Sequence, residues 1–438
     1  MKTWNRRGLM ITAALVTMMD AQAIGAGPGY PGLPPAAEVS AVLARSPAVL
    51  AALRGIEAEQ AVHRQYQLGS HEWTGSLSAV RRTPTHLQAD RSNLASQEWE
   101  LGLDRGVRLP GKAAVYDRAG RLKVAQADAA KDRVWREHAR LLLDGFGGWW
   151  RERESARVWM AHESLLHQQL DSVARRQQLG GAAKIEQQQA QAALAQSRAQ
   201  LQAAVGRARA AADALQQHFP ALNLADLQIN TALPAPQALH GDEAKWLPLL
   251  NENNPELALA RRVTASAEAA LQLEMAERHG DPTVGVRVGR ALSGAERVVG
   301  VVISMPFGGD YRAAGAAAAT SRAAAAAQLE EQARRSASAA GVQHLRVAQT
   351  AYASWLANSE AAQQLADAAD SIARGYALGE GVVADMLTAR RLANEQQLIT
   401  AMSAVDAWIS RHRLALEAGQ LWNDPTTKLD SDVAANGS

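Results

Sequence analysis

One repeat distance constrains this chain more than any other feature. The stretches QQLGGAAKIEQQQAQ (177–191) and YALGEGVVADMLTAR (376–390) each break a long polar helix at Leu-Gly and restart it before an acid and a run of helix formers. Arg175 and Arg374, Gly180 and Gly379, and Glu186 and Asp385 are all 199 residues apart. A duplication is the economical explanation, so an architecture adopted by one half must be repeated by the other.

Each half opens on a helix with an early proline, AEVSAVLARSPAVLAALRGIEAEQAVHRQ with Pro47 and LPLLNENNPELALARRVTASAEAALQLEM with Pro255. Proline there suits a first turn or a kink. The period then changes from 3.6 to 2. In TVGVRVG, Val284, Val286 and Val288 share one face opposite Thr283, Gly285, Arg287 and Gly289; VVGVVISMP sets Val299, Val301, Ile303 and Met305 opposite Gly300, Val302 and Ser304. In the first half EWELGLD sets Trp99, Leu101 and Leu103 against Glu98, Glu100, Gly102 and Asp104, and EWTGSLSAV is a weaker version with Trp73 and Leu77. Strands are expected at about 71–82, 96–109, 282–292 and 297–306. Strands apolar on one face and small or charged on the other fit a membrane barrel with a wet interior; a soluble sandwich with the apolar face inward is the alternative. Four strands cannot close, and an open edge in lipid costs several kcal/mol per unpaired group. Three copies would supply about twelve strands, enough for an aqueous lumen.

After each hairpin comes a helical run of about 67 residues, from Lys112 to about 178 and from Tyr311 to about 377, roughly 100 Å at 1.5 Å per residue. These runs carry charges or amides on most turns and belong in water. Ala and periodic Leu, as at Leu194/Leu201 and Leu398/Met402/Val405, would pack them together. Three glycines in DGFGGWW (144–150) imply a kink or a close helix contact. The reversals at about 179–184 and 378–384 need the backbone freedom of Gly180, Gly181 and Gly379. The expected class is mainly α with a small β part, a twofold helix, β-hairpin, long helix, turn, helix unit. Its repeats cover 38–217 and 243–421, with a connector at 218–242 and an unstructured tail at 422–438.

The first 23 residues read as a cleaved signal peptide: Lys2, Arg6 and Arg7, the apolar GLMITAALVTMM, and Ala21-Gln22-Ala23. A Pro/Gly-rich linker at 24–37 follows, and RRTPTHLQADRSN is expected as an extracellular loop of the first hairpin. The chain has no cysteine, so no disulfide, thiolate metal site or lipoprotein anchor is expected. A net charge of +2 with dispersed basic residues gives no nucleic-acid footprint. Enzyme constellations are poor. His162 and His167 in HESLLH are five apart rather than four, and LPGKAA lacks the first glycine and the Ser/Thr of a phosphate loop. No cofactor and no resident metal is expected.

Several motifs in order resemble the TolC-like outer membrane efflux protein family, over roughly 38–421. They are VLARSPAVLAA and NENNPELALARR at the repeat starts, LDRGVRLPGKAAVYDRA and VVISMPFGGDYRAA at the strand-to-helix junctions (Pro110, Gly111, Lys112; Pro306), and YALGEGVVADMLTAR at a tip. Pro110-Gly111-Lys112 is most similar to the branch serving heavy-metal pumps of the cobalt-zinc-cadmium or copper-silver type. The resemblance implies a homotrimer with a twelve-stranded barrel in outer membrane lipid and a long periplasmic α-helical barrel. It also implies a periplasmic adaptor and an inner-membrane resistance-nodulation-division pump as partners. Tyr376, Gly379 and Asp385 match the family's tip tyrosine, glycine and first aperture acid, while Thr388 replaces a second acid; Glu186 is the first-repeat equivalent, on a tip made less typical by Ala183 and Gln189. A duct for drugs or secreted proteins, and a non-transport periplasmic coiled-coil scaffold, are the alternatives.

Overall fold

The computed structural model describes residues 32–83, 95–222 and 232–425. The expected signal peptide, residues 24–31 of the linker, most of the first hairpin's loop, part of the connector and the tail from 426 lie outside them. The first half runs α1 (Ala36–Ala44), α2 (Pro47–Leu68), β1 (Trp73–Arg82), β2 (Ser96–Gly106), α3 (Lys112–Gln178) and α4 (Lys184–His218). The second repeats that order with α5 (Glu243–Glu252), α6 (Pro255–Glu277), β3 (Thr283–Ala291), β4 (Glu296–Ser304), α7 (Asp310–Leu378) and α8 (Val383–Glu417).

Proline placement explains where the long helices run and stop; only the short α5 carries one inside, Pro248. None lies between Pro110 and Pro220 or between Pro306 and Pro425; an interior proline would cost about 3 kcal/mol. Helices of 67 and 69 residues, each followed by one of 35, fill those intervals. Pro47 and Pro255 stand at the first positions of α2 and α6, and α1 meets α2 at a 63° bend. Asn254 Oδ1 accepts from Leu257 N (2.8 Å) to cap α6.

The strands form one antiparallel sheet in the order β1-β2-β3-β4. The β2–β3 ladder, with Leu101 opposite Val288 and Leu103 opposite Val286, joins the two halves. The strands end short of their expected limits at the helix side, β2 at Gly106 and β4 at Ser304. Pro110 and Pro306 offer no N–H to extend a ladder there. The last link is Val107 N donating to Pro282 O at 2.8 Å.

The main apolar core lies midway along the helices. Trp135, Leu142, Leu143, Phe146 and Trp150 of α3 pack there with Val39 and Leu43 of α1, Leu215 of α4 and Val405, Trp408 and Leu416 of α8. Each such side chain contributes about 1.5–3 kcal/mol by burial. Two of the three glycines of 144–150, Gly145 and Gly147, serve close packing within an unbroken α3, while Gly148 faces open space. A Cβ at Gly147 would fall 2.2 Å from Ile409 Cδ1, and one at Gly145 2.6 Å from Leu215 Cδ1. Two expected boundaries shift because the same core captures their residues. Gly32 O accepts from Trp150 Nε1 (3.2 Å) and Leu33 packs on the core. Trp422, expected to open the unstructured tail, is buried; its carbonyl accepts from Trp135 Nε1 (2.8 Å), and Asp424 pairs with Lys131 (3.2 Å).

Candidate functional site

The sheet carries two unlike faces. Pairing sets Leu77, Leu101, Val288 and Val299 in one row and Leu103, Val286 and Val301 in the next. With Trp73, Trp99, Val284 and Ile303 these side chains form an apolar band, exposed from 39% at Val284 to 79% at Val299. The face that a soluble sandwich would bury is therefore the uncovered one. On the opposite face Arg287 Nη1 lies 2.7 Å from Asp104 Oδ1 and Arg287 Nε 3.4 Å from Glu100 Oε1. Gly102 and Gly285 leave room for this cluster: a Cβ on Gly102 would be 2.7 Å from Arg287 Nη1, and one on Gly285 1.8 Å from Asp104 Oδ1.

At the helix end of the sheet, Pro110 and Gly111 turn the chain from β2 into α3. Gly111 is left-handed (φ 86°) at the helix N-cap. That turn delivers Lys112, only 4% exposed, between Glu277 Oε1 (3.0 Å) and Asp281 Oδ1 (2.9 Å) of the second half. Asp281 also accepts from Leu109 N (3.0 Å) and faces His71 Nε2 (3.1 Å), while Tyr116 donates to Glu277 (3.0 Å). Burial alone would raise the Asp281 carboxyl, but the Leu109 N–H, the Lys112 ammonium and His71 outweigh it and hold it below the usual range. Burial and the bond to Glu277 push the Tyr116 phenol up to about 12. Pro306 packs against the same link: a Cβ on Gly280 would fall 2.4 Å from Pro306 Cγ.

At the far end both long helices close identically. Gly180 (φ 79°) and Gly379 (φ 96°) are left-handed; Gly181 N returns to Arg176 O (2.8 Å) and Glu380 N to Gly375 O (2.9 Å), the Schellman arrangement. The two tips pack on each other through Val173, Ala190, Ala373, Tyr376, Val383 and Met386. Tyr376 donates to Glu186 Oε2 at 2.6 Å, and Glu186 Oε1 also accepts from Ala183 N (3.4 Å). Burial first, then this bond to Glu186, pushes the Tyr376 phenol up to about 12. Asp385, in the first turn of α8, is exposed and makes no ion pair among the described residues. The structure thus brings Tyr376 and Glu186 together and leaves Asp385 apart.

Sequence reasoning missed Arg176. Its guanidinium stacks 4.3 Å from the centre of the Tyr376 ring, donates to Tyr376 O, and reaches Gly181 O at 3.1 Å. Arg175, which keeps the 199-residue spacing, is exposed. The repeat spacing gave no signal for Arg176, because its counterpart is Gly375. Glu277 and Asp281 were missed too, as ordinary acids at a helix end. His162 and His167 do not meet at a metal: His167 pairs with Asp171 (3.3 Å), and burial, with Arg390 nearby, pushes His162 down to about 4. Among the described residues no three His, Cys, Asp or Glu side chains converge to hold a metal ion. No single helix among them is long and apolar enough to cross a membrane.

No family model matches the chain, and no curated protein matches it. Solved structures do. The CusC structure, described for its folding and transmembrane channel formation, superposes with a TM-score of 0.72 at 14% identity, covering 87% of this chain and 91% of that one. The outer membrane protein VceC of Vibrio cholerae gives 0.68 at 16% identity over 88% and 96% of the two chains. The open MtrE outer membrane channel of Neisseria gonorrhoeae gives 0.61 at 15% identity over 89% and 90%. At such identities the likeness is one of fold, a mostly helical chain with a small antiparallel sheet built as in TolC-like outer membrane channels.

Proposed function

We propose that this chain, which has the fold of TolC-like outer membrane channels, is a member of that efflux family and the passive exit duct of a tripartite pump. One observation carries this reading: a four-stranded sheet with an uncovered apolar face and two open edges caps helices of 67 and 69 residues. In lipid, the unpaired groups along β1 and β4 would each cost several kcal/mol. Setting β4 of one copy beside β1 of the next removes that cost. Three copies close a twelve-stranded outer membrane barrel and continue it as a periplasmic α-helical tunnel.

The ionic face of the sheet then lines the lumen. The domain plan is the one read from the sequence: an exported chain with signal peptide 1–23, repeats at 38–217 and 243–421, and a connector between them. The tips meet a periplasmic adaptor, and an inner-membrane resistance-nodulation-division pump supplies the energy; this chain makes and breaks no bond. With Glu186 engaged by Tyr376, the exposed Asp385 carries the aperture role. Three copies of its carboxylate at the entrance attract cations and repel one another. The cargo we assign is heavy-metal cations, on the resemblance at Pro110-Gly111-Lys112.

Two measurements test the levels separately. The purified trimer in planar bilayers should conduct, and Asp385→Ala should alter cation passage at low salt; unchanged conductance removes the aperture role, and recovery of the chain without detergent removes the duct. A deletion strain challenged with zinc, cadmium, cobalt, copper and silver beside lipophilic drugs should be sensitive to metals alone. Sensitivity confined to drugs assigns the duct to another pump.

A further inference from the structure

Charge is sorted between the two faces of the sheet. Every acid in the four strands (Glu98, Glu100, Asp104 and Glu296) lies on the ionic face, with Arg82 and Arg287. Both of these arginines are paired, Arg82 with Glu98 at 3.1 Å and Arg287 with Asp104 at 2.7 Å. The apolar face carries no acid and four arginines: Arg81, Arg105, Arg290 and Arg297. Arg105, at the helix end, is occupied; it donates to His71 O (3.1 Å) and lies over the Trp73 ring (5.3 Å). The other three cluster at the hairpin end, just beyond the row Leu77, Leu101, Val288 and Val299. Arg290 stands directly opposite Arg297 and beside Trp99 on β2, and Arg81 stands opposite Gln97. All three are exposed, and none makes a hydrogen bond or ion pair among the described residues.

Like charges placed directly opposite across a ladder repel, and an anion shared between Arg290 and Arg297 would convert that repulsion into attraction. Planar guanidinium groups bind phosphate in a bidentate manner. Because they point away from the ionic face, these arginines cannot act on anything inside a lumen. Their position at one margin of an exposed apolar band, level with an aromatic ring, is that of a lipid headgroup.

We propose that Arg81, Arg290 and Arg297 bind the phosphates of a phosphorylated glycolipid in the outer leaflet, with its acyl chains running down the strands over Val288 and Val286 of β3 and Val299 and Val301 of β4. The proposal rests on the reading of this sheet as a membrane-barrel wall. Closing the sheet onto a second copy sets β1 beside β4, with Arg81 and Arg297 both at the hairpin end of those edge strands, so the site lies at each seam between copies. Among the described strand residues the apolar face carries only the occupied Arg105 at the opposite margin, so an anionic lipid is recognised on one side of the membrane only.

For the test, the detergent-extracted full chain is placed in phosphatidylcholine vesicles and titrated with bisphosphorylated lipid A, with dephosphorylated lipid A and with phosphatidylglycerol. Bound lipid is counted by native mass spectrometry. Bisphosphorylated lipid A should bind well above the other two, and Arg290→Gln and Arg297→Gln should each weaken it about fivefold. Arg105→Gln should leave it unchanged. Equal binding of the dephosphorylated form or of phosphatidylglycerol, or full binding by the Arg290→Gln/Arg297→Gln variant, overturns the proposal while leaving the barrel intact. A chain that never enters vesicles overturns the barrel and this site with it.

Discussion

The two long helices stand at the same point of two halves with one element order yet occupy different places in the protomer. Helix α3 packs against α2, α4, α6 and α8 and buries Trp135, Phe146, Trp149 and Trp150. Helix α7 packs against α5, α6 and α8; apart from Leu345 and Tyr376 its buried residues are alanines and one glycine. Leu329, Val342, Val347, Leu356 and Ile372 of α7 remain exposed. Arg140 strengthens the contrast by tying α3 to Glu417 of α8 and Glu256 of α6, with both contacts at 2.7 Å. The two halves therefore share helix lengths and turns, while one long helix is the axis of the protomer and the other its margin. On the trimeric reading, a neighbouring copy covers that margin.

The sharpest way to break this comparison is to truncate one side chain on each helix. Trp150→Ala should cost about 3–5 kcal/mol in chemical unfolding, whereas Leu356→Ala, 47% exposed, should stay within about 0.5 kcal/mol for the isolated protomer. Equal losses in the monomeric protein would remove the distinction between axis and margin. Next in size are the junctions. Lys112→Ala leaves Glu277 and Asp281 without their buried cation and should cost about 3 kcal/mol. Arg312→Ala, whose side chain is 31% exposed, should cost under about 1 kcal/mol. A reversed order would make the contact within the second half, α7 to α6, stronger than the Lys112 brace between the halves.

An effect smaller than that of Trp150→Ala or Lys112→Ala is expected at the tips. Tyr376→Phe removes one bond to a carboxylate and should cost about 1–2 kcal/mol. At the counterpart, Gln177→Ala should change little, since no hydrogen bond joins the Gln177 side chain to the other tip. The phenol has a raised folded value, so its contribution is fully present below the ordinary tyrosine value near 10 and is lost as pH rises toward about 12. Unfolding titrations of the wild type and of Tyr376→Phe should converge across that window. Parallel curves would mean that the hydroxyl does not join the tips.

A mostly helical chain with a small antiparallel sheet was legible without coordinates because its determinants are local. Absence of proline over a hundred residues, a left-handed demand at Gly180 and Gly379, and a period of two in TVGVRVG are each written within one segment. The working contacts of the junction and tips were not legible, since they join residues far apart in sequence. Leu109 and Asp281 are separated by 172 positions, Glu186 and Tyr376 by 190, and Arg176 and Tyr376 by 200. Nothing in ARRQQLGG tells Arg175 from Arg176; only the packing of one tip on the other selects the arginine that meets an aromatic ring.

By itself the sequence determined the repeat, the element lengths, the turns and the alternation of the strands, because backbone conformation and periodicity answer to neighbours a few residues away. Only the tertiary structure decided which face of the sheet stays bare, which acids receive Lys112 and which glycine faces Ile409. Those outcomes depend on how whole elements stack, and burial, charge pairing and steric fit act between surfaces that become neighbours only after folding.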